Sequence, residues 1–411
     1  MHTTISTELP VAAKANTVSG SVTAPPARNI AVDAYRGLVM LLMMGEILKF
    51  YAVSQAYPGS LFWHVLAYNQ THVQWAGLGL HDMIQPSFTF LVGVALPYSV
   101  ASRIRKEQSF GKQLLHTVWR SLLLIALGIF LRSTQSPQTN FTFEDTLTQI
   151  GLGYTFAFLL AYCRPKWQWT ALGVILFGYW LAWALYPAPG PNFDYSAVGV
   201  PQDWHYNFTG FASHWNKNSN LGQAFDVWFL NLLPRASRFN FNEGGYLTLS
   251  FIPTLGTMLL GLRAGEWFRS SAKIPMKKFL LAGLAFVVVG VLFHVTGICP
   301  IVKRIWTPSW TLFSGGICFF FLAAFSWLTE VKGYRKWAFP LVVVGMNSIA
   351  AYLIAHLWED FIVNNLYINL GHRVFQILGT SLEPLLLGIA VMLIYWLLLF
   401  WMYRKHLFLR I

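Results

Sequence analysis

The sequence predicts an all-α polytopic membrane protein with about ten transmembrane helices and both termini in the cytoplasm. Three observations carry this. Of the 411 residues 55 % are apolar and only 11 % charged, against roughly 25 % charged in a soluble domain. The apolar residues gather into runs long enough to cross a ~30 Å hydrocarbon core, which takes about 20 residues of helix. The basic residues lie on alternate connections between those runs, as the positive-inside bias requires.

The ten runs are 36–52, 82–101, 115–131, 147–163, 169–186, 246–263, 279–297, 310–328, 340–361 and 384–403. Lys14, Arg28 and Arg36 precede or open the first. Arg103, Arg105, Lys106, Lys112 and Arg120 lie between or beside the second and third, and Arg164 and Lys166 separate the fourth from the fifth. Arg263, Arg269, Lys273, Lys277 and Lys278 lie between the sixth and seventh. Lys332, Arg335 and Lys336 follow the eighth, and Arg404, Lys405 and Arg410 follow the tenth. These are 21 of the 29 basic residues, so the net charge of +13 marks topology rather than nucleic-acid binding.

The opposite face then holds 51–81, 132–145, 187–245, 298–309 and 363–383. The segment 187–245 is too long for a simple turn. Its Trp204, His205, Trp215, Trp228 and several asparagines predict an ordered extracytoplasmic lid; its aromatics suit either sugar stacking or an aromatic belt at the membrane surface. Residues 1–28, rich in Thr, Ser, Ala and Pro, predict a disordered cytoplasmic tail, neither a signal peptide nor a folded domain. Residues 29–411 form the transmembrane domain. Cys163, Cys299 and Cys318 have no paired spacing, so neither a disulfide framework nor a metal site is expected. No internal repeat and no mirrored pair of broken helices stands out, which weighs against a secondary transporter.

Chemistry concentrates at the outer edge of the second run, in His72, Trp75, Gly77, Leu78, Asp82, Pro86 and Phe88. A histidine and an aspartate where a span meets water are costly unless they serve a function. The plain alternatives are an interfacial histidine bonded to a loop carbonyl and an aspartate that caps a helix. His81 competes with His72 and is placed behind it. Asp33 and Arg36, three apart, share a helix face and suit either an intrahelical ion pair or a phosphate anchor. Glu46 lies about three turns deeper, where a carboxylate must face the bundle interior or be protonated. Asn347, Ser348, Tyr352 and His356 make a polar stripe, either channel lining or interhelical glue. Gly261 and Gly265 allow close helix packing.

Several motifs, in order, resemble one family. Val32-Asp33-Ala34-Tyr35-Arg36-Gly37 looks like the Asp-x-x-Arg-Gly start of membrane acyltransferases. The stretch from His72 to Phe88 resembles the catalytic segment of the heparan-α-glucosaminide N-acetyltransferase-like transmembrane acyltransferases, bacterial homologues included. Further similarity lies at Glu243-Gly244, Gly261 to Gly265, Lys303 with Trp306 and Ser309, Gly345-Met346-Asn347-Ser348-Ile349 and Tyr403-Arg404-Lys405. The resemblance implies His72 as the catalytic residue and acetyl-CoA, supplied from the cytoplasm, as co-substrate, with no metal. The acceptor would be the amine of a glucosamine-type sugar on the extracytoplasmic side. Imidazole, near its ordinary pKa of ~6.5, can act there as base or acetyl carrier, with Asp82 fixing its tautomer.

On the same basis Asp33, Arg36, Asn347, Ser348 and Tyr352 are candidates for the coenzyme path. Trp75, Asn242, Glu243 and Lys303 are candidates for the acceptor site. Where the family's lysosomal members carry Leu-Gln-Arg, this chain reads Leu147-Thr148-Gln149-Ile150, leaving Arg132 or Arg120 to replace the charge. An O-acyltransferase of a glycan hydroxyl and a proton-coupled sugar transporter are the alternatives. The bilayer is the expected surrounding, a bacterial inner membrane the expected location, and a homodimer is left open.

Overall fold

A computed structural model describes residues 29–409. The expected tail 1–28 and Arg410 lie outside the described residues. Within them the chain is all-α, with a single isolated backbone bridge, Ala76 to Val302, in place of any strand.

Helix α1, Ile30–Met44, starts where the Asn29 side chain accepts the Val32 amide at 3.1 Å, which satisfies one of the free donors of a helix start. A 3-10 turn, Gly45–Leu48, then breaks the helix, and α2, Phe50–Ala56, leaves at a 42° bend. Lys49 makes the corner in the left-handed region at φ 48°. The break is held from α3, Leu61–Gln70: the Gln70 amide donates to Gly45 O at 2.5 Å and accepts from the Phe50 amide at 2.7 Å. One side chain thus replaces both backbone bonds lost at the break, as an interrupted helix at membrane depth requires.

Helix α4, Ile84–Arg105, follows a 3-10 turn at Leu80–Met83. Then come α5, Phe110–Ser133, capped by Ser109, and α6, Thr146–Ala161, capped by Asp145. Next are α7, Pro165–Leu185, α8, Leu221–Leu230, α9, Phe251–Ser270, and α10, Met276–Val295. Helix α11, Pro308–Ser326, begins at a Thr307 cap. Helix α12, Phe339–Gly345, and α13, Ser348–Leu357, meet at 66°. Helices α14, Glu359–Leu370, α15, His372–Phe375, and α16, Glu383–Arg404, complete the order.

Every run expected from the sequence falls on a helix or a bent pair. Six are long and apolar enough to cross a membrane, up to eight if each bent pair is one span. Helix α6 is shorter at 16 residues, and α9 carries Arg263, Glu266 and Arg269. Two of the runs are thus bent pairs rather than single straight helices, a feature the apolar pattern alone does not record.

Helix α9 is the centre of the bundle, with every residue from Pro253 to Gly265 buried. It crosses α4 backbone to backbone: a methyl on Gly261 would overlap the Phe90 carbonyl, one on Gly265 that of Val94, and one on Gly93 that of Met258. The pair Gly261 and Gly265 therefore sits at a close crossing, which only small residues permit. Outward faces, such as Leu115, Trp119 and Leu122 of α5 and Leu281 and Leu284 of α10, expose large apolar side chains, as lipid-facing surfaces do. The segment 187–245 is ordered over 3-10 turns at Ser196–Val198 and Gly210–Trp215 and over α8. Its fully buried Trp215 packs with Trp75, Tyr179, Trp183, Leu247, Val302 and Ile305, while Trp228 is exposed.

Candidate active site

Asp82 is the fixed point of the site. The turn Leu80–Met83 brings its carboxylate back over its own start, where Oδ2 accepts the Gly79 amide at 3.0 Å and the Val73 amide at 3.3 Å. Its other oxygen, Oδ1, lies 2.8 Å from His72 Nδ1 and 3.2 Å from Lys303 Nζ. Asp82 is not the N-cap, which is Gly79; from the third position of the turn its buried side chain accepts the Gly79 amide and also partners the histidine.

Lys303 comes from 231 residues beyond His72, on the connection between α10 and α11. That connection is tied to the His72 loop by the Ala76–Val302 bridge and by the Gly77 amide donating to Ile301 O at 3.3 Å. Arg304 donates to Val73 O at 3.1 Å and to Gly244 O at 2.7 Å, and lies over the Tyr246 ring at 5.0 Å. The Thr307 and Ser309 hydroxyls both donate to Pro300 O, at 2.8 and 2.7 Å. Three loops from distant parts of the chain thereby converge on one imidazole.

Lys303 Nζ also lies 2.9 Å from His72 Nδ1. Two donors do not share a hydrogen bond, so the carboxylate decides the arrangement. Nδ1–H donates to Asp82, the ammonium donates to the same oxygen, and Nε2, with Lys303 Nζ 3.5 Å away, is left as the basic nitrogen on a side chain that is 36 % exposed. Burial is the largest influence on His72 and lowers its pKa; the Asp82 bond opposes this and the Lys303 charge adds to it. The net direction keeps the ring neutral near neutral pH. Burial likewise lowers Lys303 to about 8, with Asp82 opposing.

His72, His81, Lys303 and Tyr246 open into a cavity of about 690 Å³, which Glu46, Arg132, Glu144, Asp145, Glu359 and Asp360 also line. A second cavity of about 650 Å³ is lined by Arg36, Arg103, His116, Arg120, Ser348 and Leu409. Phe88, Thr146 and Tyr352 line both.

Of the residues expected on the coenzyme path, Arg36, Ser348 and Tyr352 line the second cavity. Asp33 lies beside it, 3.4 Å from Arg36. Asn347 lines neither cavity; its amide donates to Leu407 O at 2.7 Å and accepts from the Leu409 amide at 2.9 Å, holding the C-terminal segment at the α12–α13 break. Of the residues expected at the acceptor, Lys303 lines the His72 cavity. Trp75 does not: it is fully buried, donating to Trp215 O at 3.1 Å. Asn242 accepts the Tyr246 amide at 3.1 Å and closes a turn, and Glu243 is exposed outside both cavities. Glu46 faces the His72 cavity, and so does His356, stacked on Tyr352 with ring centroids 4.2 Å apart. Arg132 and Arg120, the two candidates for the missing family arginine, line one cavity each. Sequence reasoning passed over Arg304 and Tyr246. The only signal for Arg304 was its adjacency to Lys303.

No protein-family profile matches the chain. Among curated proteins it is 24 % identical over 379 residues, 83 % of this chain, to a human heparan-alpha-glucosaminide N-acetyltransferase. It is 24 % identical over 370 residues, 80 % of this chain, to the mouse protein of the same name. The chain spans about half the length of these relatives, 54 % and 53 %. Over four fifths of its length, this helical membrane chain is therefore similar to the heparan-alpha-glucosaminide N-acetyltransferases, as its motifs had indicated.

Proposed function

We propose that the protein is a transmembrane acetyltransferase that moves acetyl from cytoplasmic acetyl-CoA to the amine of a glucosamine-type sugar on the far side of a bacterial inner membrane. In this reading the chain crosses the bilayer ten times with both termini in the cytoplasm. The single observation that carries it is the pair of cavities sharing Phe88, Thr146 and Tyr352, one arginine-rich and the other opening on His72. A coenzyme anchored by its phosphates among Arg36, Arg103 and Arg120 directs its thioester past Tyr352 toward the imidazole. A polar path at that depth has to be enclosed by protein, and helices α1, α4, α5, α6 and α13 contribute side chains to its walls.

The chemistry asks for one basic nitrogen and one fixed tautomer. The acceptor amine attacks the acetyl carbonyl, the C–N bond forms as C–S breaks, the amine proton passes to His72 Nε2 and on to the departing sulfur, and the coenzyme leaves as thiol. The same nitrogen is equally placed to carry the acetyl group between the two substrates. Asp82 holds Nδ1–H in both cases.

The test is acetyl-CoA turnover by purified protein in detergent with glucosamine as acceptor, beside His72→Ala. Acetylglucosamine formation that falls by about 10²-fold or more in the variant supports the assignment. One observation favours a second reading: broken helices that line a cavity are a mark of transport sites, and both bent pairs here do so. Sugar flux into proteoliposomes without release of free coenzyme would replace the acetyltransferase by a proton-coupled transporter.

A further inference from the structure

Lys303 is itself a primary amine beside the group that handles acetyl. Its Nζ stands 2.9 Å from Nδ1 and 3.5 Å from Nε2 of His72, so an acetyl group handled at Nε2 comes within reach of Nζ. The residue is only 4 % exposed, yet it lines the His72 cavity. An external acceptor has to diffuse in; Lys303 is already there.

We propose that Lys303 is an internal acetyl acceptor, so that the protein acetylates and silences itself when donor is present and no external amine fills the His72 cavity. The inference rests on the acetyltransferase reading. In the step, Nζ attacks the acetyl carbonyl, the C–N bond forms as the bond to sulfur breaks, and the proton from nitrogen passes by way of His72 or water to the departing sulfur, so that the coenzyme leaves as thiol. Where His72 has first taken the acetyl group, the bond that breaks is the one to imidazole.

What restrains this reaction is charge. The groups facing Nζ are Asp82, His72, His81 and Arg304. Asp82 alone is anionic, and its oxygen at 3.2 Å holds Nζ as ammonium, which has no lone pair to attack with. Burial and Arg304 work against it, and a lysine lowered to about 8 has roughly a tenth of its population as free amine at pH ~7. Silencing follows because the product is a neutral amide in van der Waals contact with the imidazole, and Asp82 has lost its counter-ion.

The test is site mapping by mass spectrometry of full-length protein in detergent, incubated with acetyl-CoA and no acceptor from about pH 6 to about pH 9. A parallel arm uses p-nitrophenyl acetate, whose acetyl delivery does not depend on coenzyme binding. The expected result is acetyl on Lys303 ahead of the other lysines, forming faster as pH rises through about 8, slowed by excess glucosamine, and reduced about 10²-fold in His72→Ala. Lys303→Arg keeps the charge, removes the site, and should take no acetyl at that position. Acetylation of surface lysines with Lys303 unmodified in both arms overturns the proposal. Labelling of Lys303 by p-nitrophenyl acetate alone, with no release of coenzyme from acetyl-CoA, leaves the internal acceptor standing and removes the coenzyme reading.

Discussion

Replacing Asp82 by Asn separates the roles that converge on one carboxylate. The side chain keeps its size but loses its charge, and its four partners respond differently. The amides of Val73 and Gly79, at 3.3 and 3.0 Å, still find an acceptor oxygen. His72 Nδ1 and Lys303 Nζ, at 2.8 and 3.2 Å, lose an anion, and an amide NH₂ turned toward Nδ1 stabilises the wrong tautomer. In hydrolase triads that change costs about 10⁴ in turnover. Here the expected fall in acetyl transfer is about 10²–10⁴-fold with KM for acetyl-CoA little changed. The ammonium of Lys303, 5 % exposed at the side chain, is left buried without its counter-ion, which costs about 3–5 kcal/mol of stability. Thermal unfolding and turnover are measured on the same preparations, together with Asp82→Asn/Lys303→Met. The double variant should recover much of the stability, because no orphan charge remains, but none of the activity. An Asp82→Asn protein that is folded and turns over within about threefold of wild type refutes the argument, and so does a double variant no more stable than the single.

The pH profile of transfer should be bell-shaped: His72 works as neutral ring, so the rate rises through a pKa below its ordinary ~6.5, and if the Lys303 ammonium supports the Nδ1–Asp82 bond the rate falls above about 8. Lys303→Met should then abolish the alkaline fall and move the acid limb upward, since Lys303 is one of the influences holding His72 down; an unchanged profile rules this out. Arg120→Ala, which removes a guanidinium bonded to the Tyr154 hydroxyl at 3.1 Å and facing the second cavity, should raise KM for acetyl-CoA by about 10-fold or more at nearly constant kcat, the equivalent of one charged phosphate contact; a change in kcat alone argues against a donor site there. Gly261→Leu should destabilise the fold by about 1–3 kcal/mol or more, read as a lower unfolding temperature and a lower yield of folded protein, because the side chain meets the Phe90 carbonyl across the α4–α9 crossing; a variant as stable as wild type shows that the crossing tolerates separation.

The helices were legible because apolar runs are properties of consecutive residues, which the sequence records directly. The breaks inside them were not. The run 36–52 reads as one helix, and the group that satisfies the backbone where it breaks is Gln70, a residue on the next helix that bonds to Gly45 and Phe50. Asn347 shows the same limit at the other bent pair: its place in a polar stripe suggested a channel, whereas its partners Leu407 and Leu409 lie 60 and 62 residues on. At the site, His72 and Asp82 were readable as a pair because ten residues separate them at one membrane edge. Lys303 was readable as a member of the outer site. That it completes an ion pair with Asp82 depends on loop-to-loop bonds at Ala76, Gly77 and Arg304, and nothing in residue type predicts those. Trp75 misled for a related reason, since an aromatic beside a reactive histidine suits sugar stacking as well as it suits the core where it lies.

Under the proposed acetyltransferase reading, the charge on the two cavities would sort the two substrates. The cavity at Arg36 is lined by Arg36, Arg103, Arg120 and His116 and, among the described residues, by no carboxylate. The cavity at His72 is lined by five, Glu46, Glu144, Asp145, Glu359 and Asp360, against the three cations Lys49, Arg132 and Lys303. A polyanionic coenzyme is drawn to the first and repelled from the second, whereas an amino sugar, cationic until it gives up its proton, experiences the reverse. Each substrate is thus discouraged from crossing into the other's chamber, while the uncharged acetyl thioester is the one part of the donor that the field does not oppose at the shared wall of Phe88, Thr146 and Tyr352. The same asymmetry would separate an amine acceptor from a hydroxyl one, for a neutral glycan can donate hydrogen bonds to these carboxylates but feels no long-range attraction to their charge. Raising ionic strength should therefore raise KM for glucosamine and for acetyl-CoA together, and an acceptor KM indifferent to salt would favour O-acylation.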